Sequence, residues 1–322
     1  MLKGVYLDDG KLVVKIVMND VEDGNAQQIK EDVRYVLEKE SGYDNIQLDI
    51  ENKTKEVKQD QPLDAKQISD PQPLKGIKKI IAISSGKGGV GKSTVAVNLA
   101  CLAAKAGKSV GIFDADIHGP SLPTLLGINQ HPEATEDGMI PVDKHGVRSM
   151  SIGFIVEKGQ PLIWRGPMLN KALEQICEGT KWGELDYLFV DLPPGTGDVQ
   201  LSLAQKYKVD GAIIVTTPQN LALEDVRRGT MMFKQTNVPV LGIVENMSYY
   251  QCPNCNDLSH PFGEGGGGRE AESIGVPLLG KLPLDPQTLV LADQGTPIVI
   301  AEPDSDTTMN YLTIWQTIER ML

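Results

Sequence analysis

Nine consecutive residues, Gly86-Lys87-Gly88-Gly89-Val90-Gly91-Lys92-Ser93-Thr94, set glycine, lysine and hydroxyl groups at the spacing G-x-x-x-x-G-K-[ST]. Glycines let a backbone curl until successive N–H groups point inward at an anion. A following helix adds the positive end of its dipole. In such a loop Lys92 reaches the β- and γ-phosphates of a nucleotide, and the Ser93 hydroxyl ligates Mg²⁺. The flanks supply the required context: Lys79 to Ser84 reads as a buried strand and Thr94 to Ala106 as an apolar helix. The competing reading, a chance match in a glycine-rich loop, does not account for that strand and helix. The chemistry is binding of ATP or GTP.

Carboxylates stand where such a site needs them. Leu188-Phe189-Val190-Asp191 is a hydrophobic strand ending in an acid. Asp191 would hold Mg²⁺ through a water, because this ion keeps much of its hydration shell. The continuation, Leu192-Pro193-Pro194-Gly195-Thr196-Gly197-Asp198, is stiff and then flexible, suited to sensing a γ-phosphate. Asp114-Ala115-Asp116-Ile117-His118-Gly119-Pro120-Ser121 leaves another strand end, where open α/β sheets place their ligands. A lone aspartate there often only caps a helix; loops arriving together in this order point to one nucleotide site.

Cys252-Pro253-Asn254-Cys255 can clamp a metal from a tight turn, although zinc knuckles and redox pairs share the spacing. Cys101 and Cys177 fall in helix-like segments and read as buried small hydrophobes. Each chain therefore brings half of a four-thiolate site, which a symmetric dimer completes. Thiolates suit zinc and iron–sulfur clusters alike, and both readings stay open at this point.

With Lys87 included, the loop resembles the deviant Walker A motif K-G-G-x-x-K-[ST] of the MinD/ParA/nitrogenase-iron-protein class, a SIMIBI-type P-loop NTPase group. That resemblance implies a nucleotide-sandwich homodimer in which Lys87 reaches the partner's phosphates; the bland alternative is a solvated loop lysine. It also implies that Asp116 positions the attacking water or supports Mg²⁺, with Asp114 behind it. Asn246 matches the adenine-reading position, where an amide offers a donor and an acceptor, and Pro283-Leu284-Asp285 resembles the later loop flanking the base.

The segments Asp114–Ser121, Trp164-Arg165-Gly166-Pro167-Met168, Asp191–Asp198, Asn246-Met247-Ser248 with the cysteine pair, and Phe262-Gly263-Glu264-Gly265-Gly266-Gly267 are similar to the Mrp/ApbC family of iron–sulfur cluster carrier ATPases. The resemblance covers roughly residues 77 to 300. It implies ATP and Mg²⁺ at Lys87, Lys92, Ser93, Asp116 and Asp191, and a [4Fe–4S] cluster held by Cys252 and Cys255 across a homodimer. Assembly machinery would load the cluster, and apo iron–sulfur proteins would receive it. Asn256 stands where family members often have glycine.

These residues need a framework. From Lys78 onward strands alternate with helices: strands over Lys79–Ser84, Ser109–Asp114, Asp186–Asp191, Gly211–Thr216, Val238–Glu245 and Val276–Lys281. Helices are expected over Ser93–Ala106, Asn170–Cys177, Val199–Lys206, Leu223–Gln235 and Gly268–Ser273. A final helix over Asp304–Leu322 places Met309, Leu312, Trp315, Ile318 and Leu322 on one face. The fold class is α/β, a mostly parallel sheet covered by helices. Ahead of it, residues 1–52 read as a small α+β unit (strands Leu2–Leu7, Lys11–Met18 and Asn45–Ile50, helix Gln27–Lys39). The unit resembles a degenerate MIP18-like domain without cysteine, for which docking is the expected role. Residues 53–76 read as a flexible linker and 77–322 as the ATPase domain.

The 322 residues are 40% hydrophobic and 23% charged, an ordinary globular composition. A formal net charge of −12 argues against a broad nucleic-acid or anionic-membrane surface. No apolar run approaches the roughly 18 residues of a membrane span. Four cysteines are too few for a disulfide framework, so a cytoplasmic location is expected. The alternative function is an ATP-switched regulator of the same class with a structural Zn²⁺ site.

Overall fold

A computed structural model of the chain describes residues 2–8, 11–19, 33, 46–53, 71–117, 119–154 and 166–322. The chain divides into two units, Met1–Gln67 and Ile68–Leu322. In the first, β1 (Leu2–Asp8) pairs antiparallel with β2 (Lys11–Asn19), Asp8 facing Lys11. Strand β3 (Ile46–Lys53) lies parallel to β2. The helix expected over Gln27–Lys39 falls outside the described residues except at Val33, which is helical.

The second unit runs β4 (Ile77–Ser85), α1 (Lys92–Lys105), β5 (Val110–Asp114), α2 (Leu122–Leu125), β6 (Glu133–Thr135), β7 (Gly138–Ile140), β8 (Val142–Lys144) and β9 (Val147–Ser151). It continues through α3 (Gly166–Gly179), β10 (Leu185–Asp191), α4 (Asp198–Lys206), β11 (Gly211–Thr216), α5 (Asn220–Gln235) and β12 (Val240–Glu245). The last elements are β13 (Tyr250–Gln251), β14 (Leu258–Ser259), α6 (Gly266–Ile274), β15 (Leu278–Lys281), α7 (Pro286–Asp293), α8 (Ile298–Ala301) and α9 (Asp306–Met321).

Eight strands form one sheet in the order β15-β12-β11-β4-β10-β5-β9-β8. Every neighbouring pair is parallel except the β8–β9 hairpin at one edge. All six residues of β11 and all five of β5 are buried, the signature of strands covered on both faces. Strand β4 runs through the middle of this core with Ile81 and Ile83 wholly enclosed. The carboxyl ends of β4, β5, β10, β12 and β15 therefore open on one edge, where their loops meet.

Helix α9 packs on the sheet by Tyr311, Ile314, Trp315 and Ile318. The Trp315 ring meets Tyr187 edge-on, centroids 5.1 Å apart. Met309, expected on the buried face, is 49% exposed. The true stripe, i, i+3, i+4, i+7 from Tyr311, leaves position 309 about 200° round the helix.

Strand β3 reaches Lys53, and at the other side Gln72 exchanges backbone hydrogen bonds with the segment around Tyr207. The described chain thus enters the segment expected as linker from both ends; residues 54–70 lie outside it.

Candidate functional site

The loop Gly86–Gly91 joins β4 to α1, with Gly89 and Gly91 at φ 81°. That left-handed backbone favours glycine. At Gly91 space adds a second reason: a Cβ there would collide with the Asn246 amide nitrogen. At Gly86 a Cβ would run into Asp225 of α5. Helix α1 has neither a side-chain cap nor an acid in its first turn, so its N-terminal N–H groups face the cleft unneutralised.

Lys92 is buried, and its ammonium donates to Asp191 Oδ1 at 2.5 Å. It also lies 3.3 Å from Ser93 Oγ and 3.8 Å from Asp116 Oδ2. Asp191 ends β10 directly beside Asp114, which ends β5. Asp114 is spent on its own loop and on the end of β9: Oδ1 accepts from the Asp116 N–H at 3.0 Å, and Oδ2 from the Leu122 N–H at 3.3 Å and Ser151 Oγ at 3.0 Å.

Burial, with the neighbouring Asp191 charge, pushes the Asp114 carboxyl up to about 7. Burial pushes Asp191 up as well, and the Lys92 ammonium pulls it back. Two buried oxygens of residues that line the same cleft as Lys92 have no hydrogen-bond partner among the described residues, Asp116 Oδ1 and Ser121 Oγ. Lys87, Gly88, Lys92, Ser93, Asp116 and Ser121 line an open cleft of about 870 Å³. Lys87 is half-buried at its rim and forms no ion pair among the described residues.

A second cleft, about 670 Å³, shares Gly91 and Thr94 with the first. Asn246 and Pro283 line it, as the sequence suggested, and so do Asp285, Thr288, Leu289 and Tyr311. Asn246 is not wholly free to read a base, because its Nδ2 donates to the Val90 carbonyl at 2.9 Å. Its side-chain oxygen keeps an acceptor role. Asp285 Oδ1 takes the Gln287 N–H at 3.0 Å; Oδ2 takes the Thr288 and Thr307 hydroxyls at 2.8 and 3.0 Å. Sequence reading named Ser121 only as the end of the Asp114–Ser121 loop, and it missed Thr288, Leu289 and Tyr311: these three sit in helices at no distinctive spacing, and the fold alone brings them here.

Cys252 and Cys255 stand at the tip of the β13–β14 hairpin, closed by Cys252 N–H to Asp257 O at 3.0 Å and Asn256 N–H to Cys252 O at 2.8 Å. Asn256 has φ 59°, a left-handed position that asparagine tolerates better than other non-glycine residues. The Asn254 N–H, then the Cys255 N–H and thiol, hold the Cys252 thiol below its usual range. Cys255 is exposed. Cys101 and Cys177 are buried and pushed up to about 12.

Among the described residues no group of three or more His, Cys, Asp or Glu could hold a metal. The cysteine pair thus stands without a further ligand from that set. His260 turns its Nδ1 to the Ser248 carbonyl at 3.0 Å.

The model of the NUBPL iron-transfer P-loop NTPases, a ParA-type family, matches residues 76–319. The chain belongs to that family. Among its relatives, an Arabidopsis thaliana protein described as a mitochondrial iron–sulfur protein required for NADH dehydrogenase is 49% identical over 251 residues, 77% of this chain and 80% of that one. An iron–sulfur cluster carrier protein of Escherichia coli is 50% identical over 248 residues, 76% of this chain and 67% of the relative.

Among solved structures, a nucleotide-binding protein of Archaeoglobus fulgidus in complex with ADP superposes with a TM-score of 0.64 at 40% identity. That match covers 74% of this chain and 92% of the other. The NUBPL-type match begins after β1–β3, which lie outside it. Among the described residues no helix is long and apolar enough to cross a membrane.

Proposed function

We propose that the chain carries iron–sulfur clusters under control of ATP. It binds and slowly hydrolyses ATP, holds a [4Fe–4S] cluster between two copies of itself, and passes the cluster to apo-proteins. The observation that carries this reading is the exposed Cys252–Cys255 hairpin, with one thiol tuned toward thiolate. It springs from the strand whose next residue, Asn246, touches the phosphate loop. One chain offers two thiolates there, and a four-thiolate cluster takes two chains.

In the nucleotide cleft, Lys92 and Asp191 neutralise each other. A triphosphate seated on the N–H groups of Gly88–Lys92 competes for Lys92 and frees the Asp191 carboxylate. The oxygens then on offer, Ser93 Oγ, Asp191 and the unpartnered Asp116 Oδ1, are hard donors that fit Mg²⁺. When bound, that ion supplies neutralisation of charge on the phosphates. Asp116 stands where it can orient an attacking water, and Asp114 fixes its backbone. Lys87 serves the phosphates facing it across a homodimer, and Asn246, Pro283 and the second cleft take the base.

The cluster comes from assembly machinery, and the setting is a reducing cytoplasm. The test is transfer: cluster-loaded protein is mixed anaerobically with an apo-enzyme that needs [4Fe–4S]. The acceptor should gain activity at a rate that depends on ATP. An acceptor that stays inactive while the carrier keeps its cluster would defeat the reading; Zn²⁺ bound in place of iron would favour the regulator.

A further inference from the structure

The glycine-rich run Phe262–Gly267 lines neither cleft, yet it meets the end of β12. There Glu245 is fully buried, with no ion pair among the described residues. Its Oε1 accepts from Ser248 Oγ at 2.5 Å, and its Oε2 accepts from the Gly267 N–H. Gly267 lies in the first turn of α6, which has no cap from its own preceding residue, so the distant carboxylate fills that place. Glycine is what permits the approach. A Cβ on Gly267 would lie 2.9 Å from Glu245 Oε2, and one on Gly266 would collide with the Pro218 carbonyl.

Ser248 is held on both sides of its peptide. Its N–H donates to the Leu282 carbonyl at 2.9 Å, and its carbonyl accepts from His260 Nδ1–H at 3.0 Å. Ser248 precedes β13 and His260 follows β14, so they are the two feet of the cysteine hairpin. Asn246, between Glu245 and Ser248, donates to Val90 O in the phosphate loop. Three neighbouring residues thus hold the start of α6, the phosphate loop and the foot of the hairpin.

We propose that Glu245 is a positioning residue that couples the nucleotide cleft to the cysteine pair. A shift of the phosphate loop on filling is passed from Val90 to Asn246, and the Glu245–Ser248–His260 bracket turns it into a change in the hold on Cys252 and Cys255. The inference rests on the carrier reading. By linkage, a nucleotide that alters cluster retention is itself bound differently once the cluster is present.

The test uses the full chain reconstituted anaerobically with iron and sulfide. The rate at which bathophenanthroline strips iron is measured with and without a non-hydrolysable ATP analogue. In the wild type the analogue should change that rate by at least about fivefold, the lower end of ordinary coupling. In Glu245→Ala and Ser248→Ala the ratio should fall to within about twofold of unity, with iron content and the nucleotide affinity of the cluster-free protein retained. Glu245→Gln can accept from Gly267 and donate to Ser248, so it should restore the ratio.

Should Glu245→Ala fail to fold, Ser248→Ala decides. A persistent fivefold ratio in Ser248→Ala, or no nucleotide effect in wild type that holds both ligands, overturns the coupling. Wild type that binds nucleotide but no iron overturns the carrier reading, and the coupling with it.

Discussion

Lys92 and Asp191 form a 2.5 Å ion pair inside the cleft that phosphates would fill. The pair satisfies two buried charges in the absence of ligand, and it must open before either residue meets a nucleotide. Asp116, 3.8 Å from the same ammonium, is the remaining counter-charge.

Replacing Asp191 by Asn should therefore lower the stability of the nucleotide-free protein by about 3 kcal/mol, the usual cost of leaving a buried charge without its partner. A bound triphosphate supplies Lys92 with a new counter-charge, so ATP without Mg²⁺ should raise the melting temperature of Asp191→Asn more than that of wild type. Thermal unfolding with and without ATP checks this; equal shifts would refute it. Turnover should drop by at least about a hundredfold.

Asp114 gives a pH signature. Its carboxyl sits at about 7 in the folded chain, against an ordinary value of 3.8. Between those values the native state keeps a proton that the unfolded chain has lost, so stability from this group falls as pH rises through about 4 to 7 and is level above. The loss amounts to roughly 4 kcal/mol at most. Urea unfolding across that range should show the slope in wild type and its loss in Asp114→Asn.

The thiols should separate by reactivity. The lowered Cys252 thiol should be alkylated first by iodoacetamide at neutral pH. Cys101 and Cys177, pushed up to about 12, carry roughly a thousandfold less thiolate than an ordinary cysteine and should stay unlabelled until the chain unfolds. Mass spectrometry of peptides reads the order. Labelling of Cys101 in the native protein would contradict the burial described here.

The Asn246–Val90 contact ties the second cleft to the phosphate loop. Asn246→Asp sets a carboxylate against the Val90 carbonyl and should weaken ATP binding by at least about tenfold in titration calorimetry. Gly91→Ala, with its Cβ driven into the Asn246 amide at φ 81°, should abolish binding.

The phosphate loop, Asp191 and the cysteine pair could be picked out of the sequence because each falls in a short contiguous run with a recognisable spacing. Strands β4, β10 and β11 were legible because burial on both faces leaves unbroken apolar runs. Strands β8 and β9 were not: Val142-Asp143-Lys144, at the sheet edge, is three residues long, and Val147–Ser151, between β5 and β8, mixes arginine and serine into its run. Thr288, Leu289 and Tyr311 reach the second cleft from α7 and α9, and only the packing of those helices brings them together. Glu245 reads in sequence as one more polar residue at a strand end; its partner Gly267 is 22 residues away.

The most direct measurement is anaerobic reconstitution of the full chain with iron and sulfide, followed by the visible spectrum and by native mass spectrometry. The expected result is a broad band near about 400 nm and roughly four irons and four sulfides per two chains. Both should be lost in the Cys252→Ser, Cys255→Ser double variant, with ATP binding intact. Iron retained by that variant, or a stable four-iron cluster on a single chain, would contradict the assignment of the cluster to two cysteines from each of two subunits.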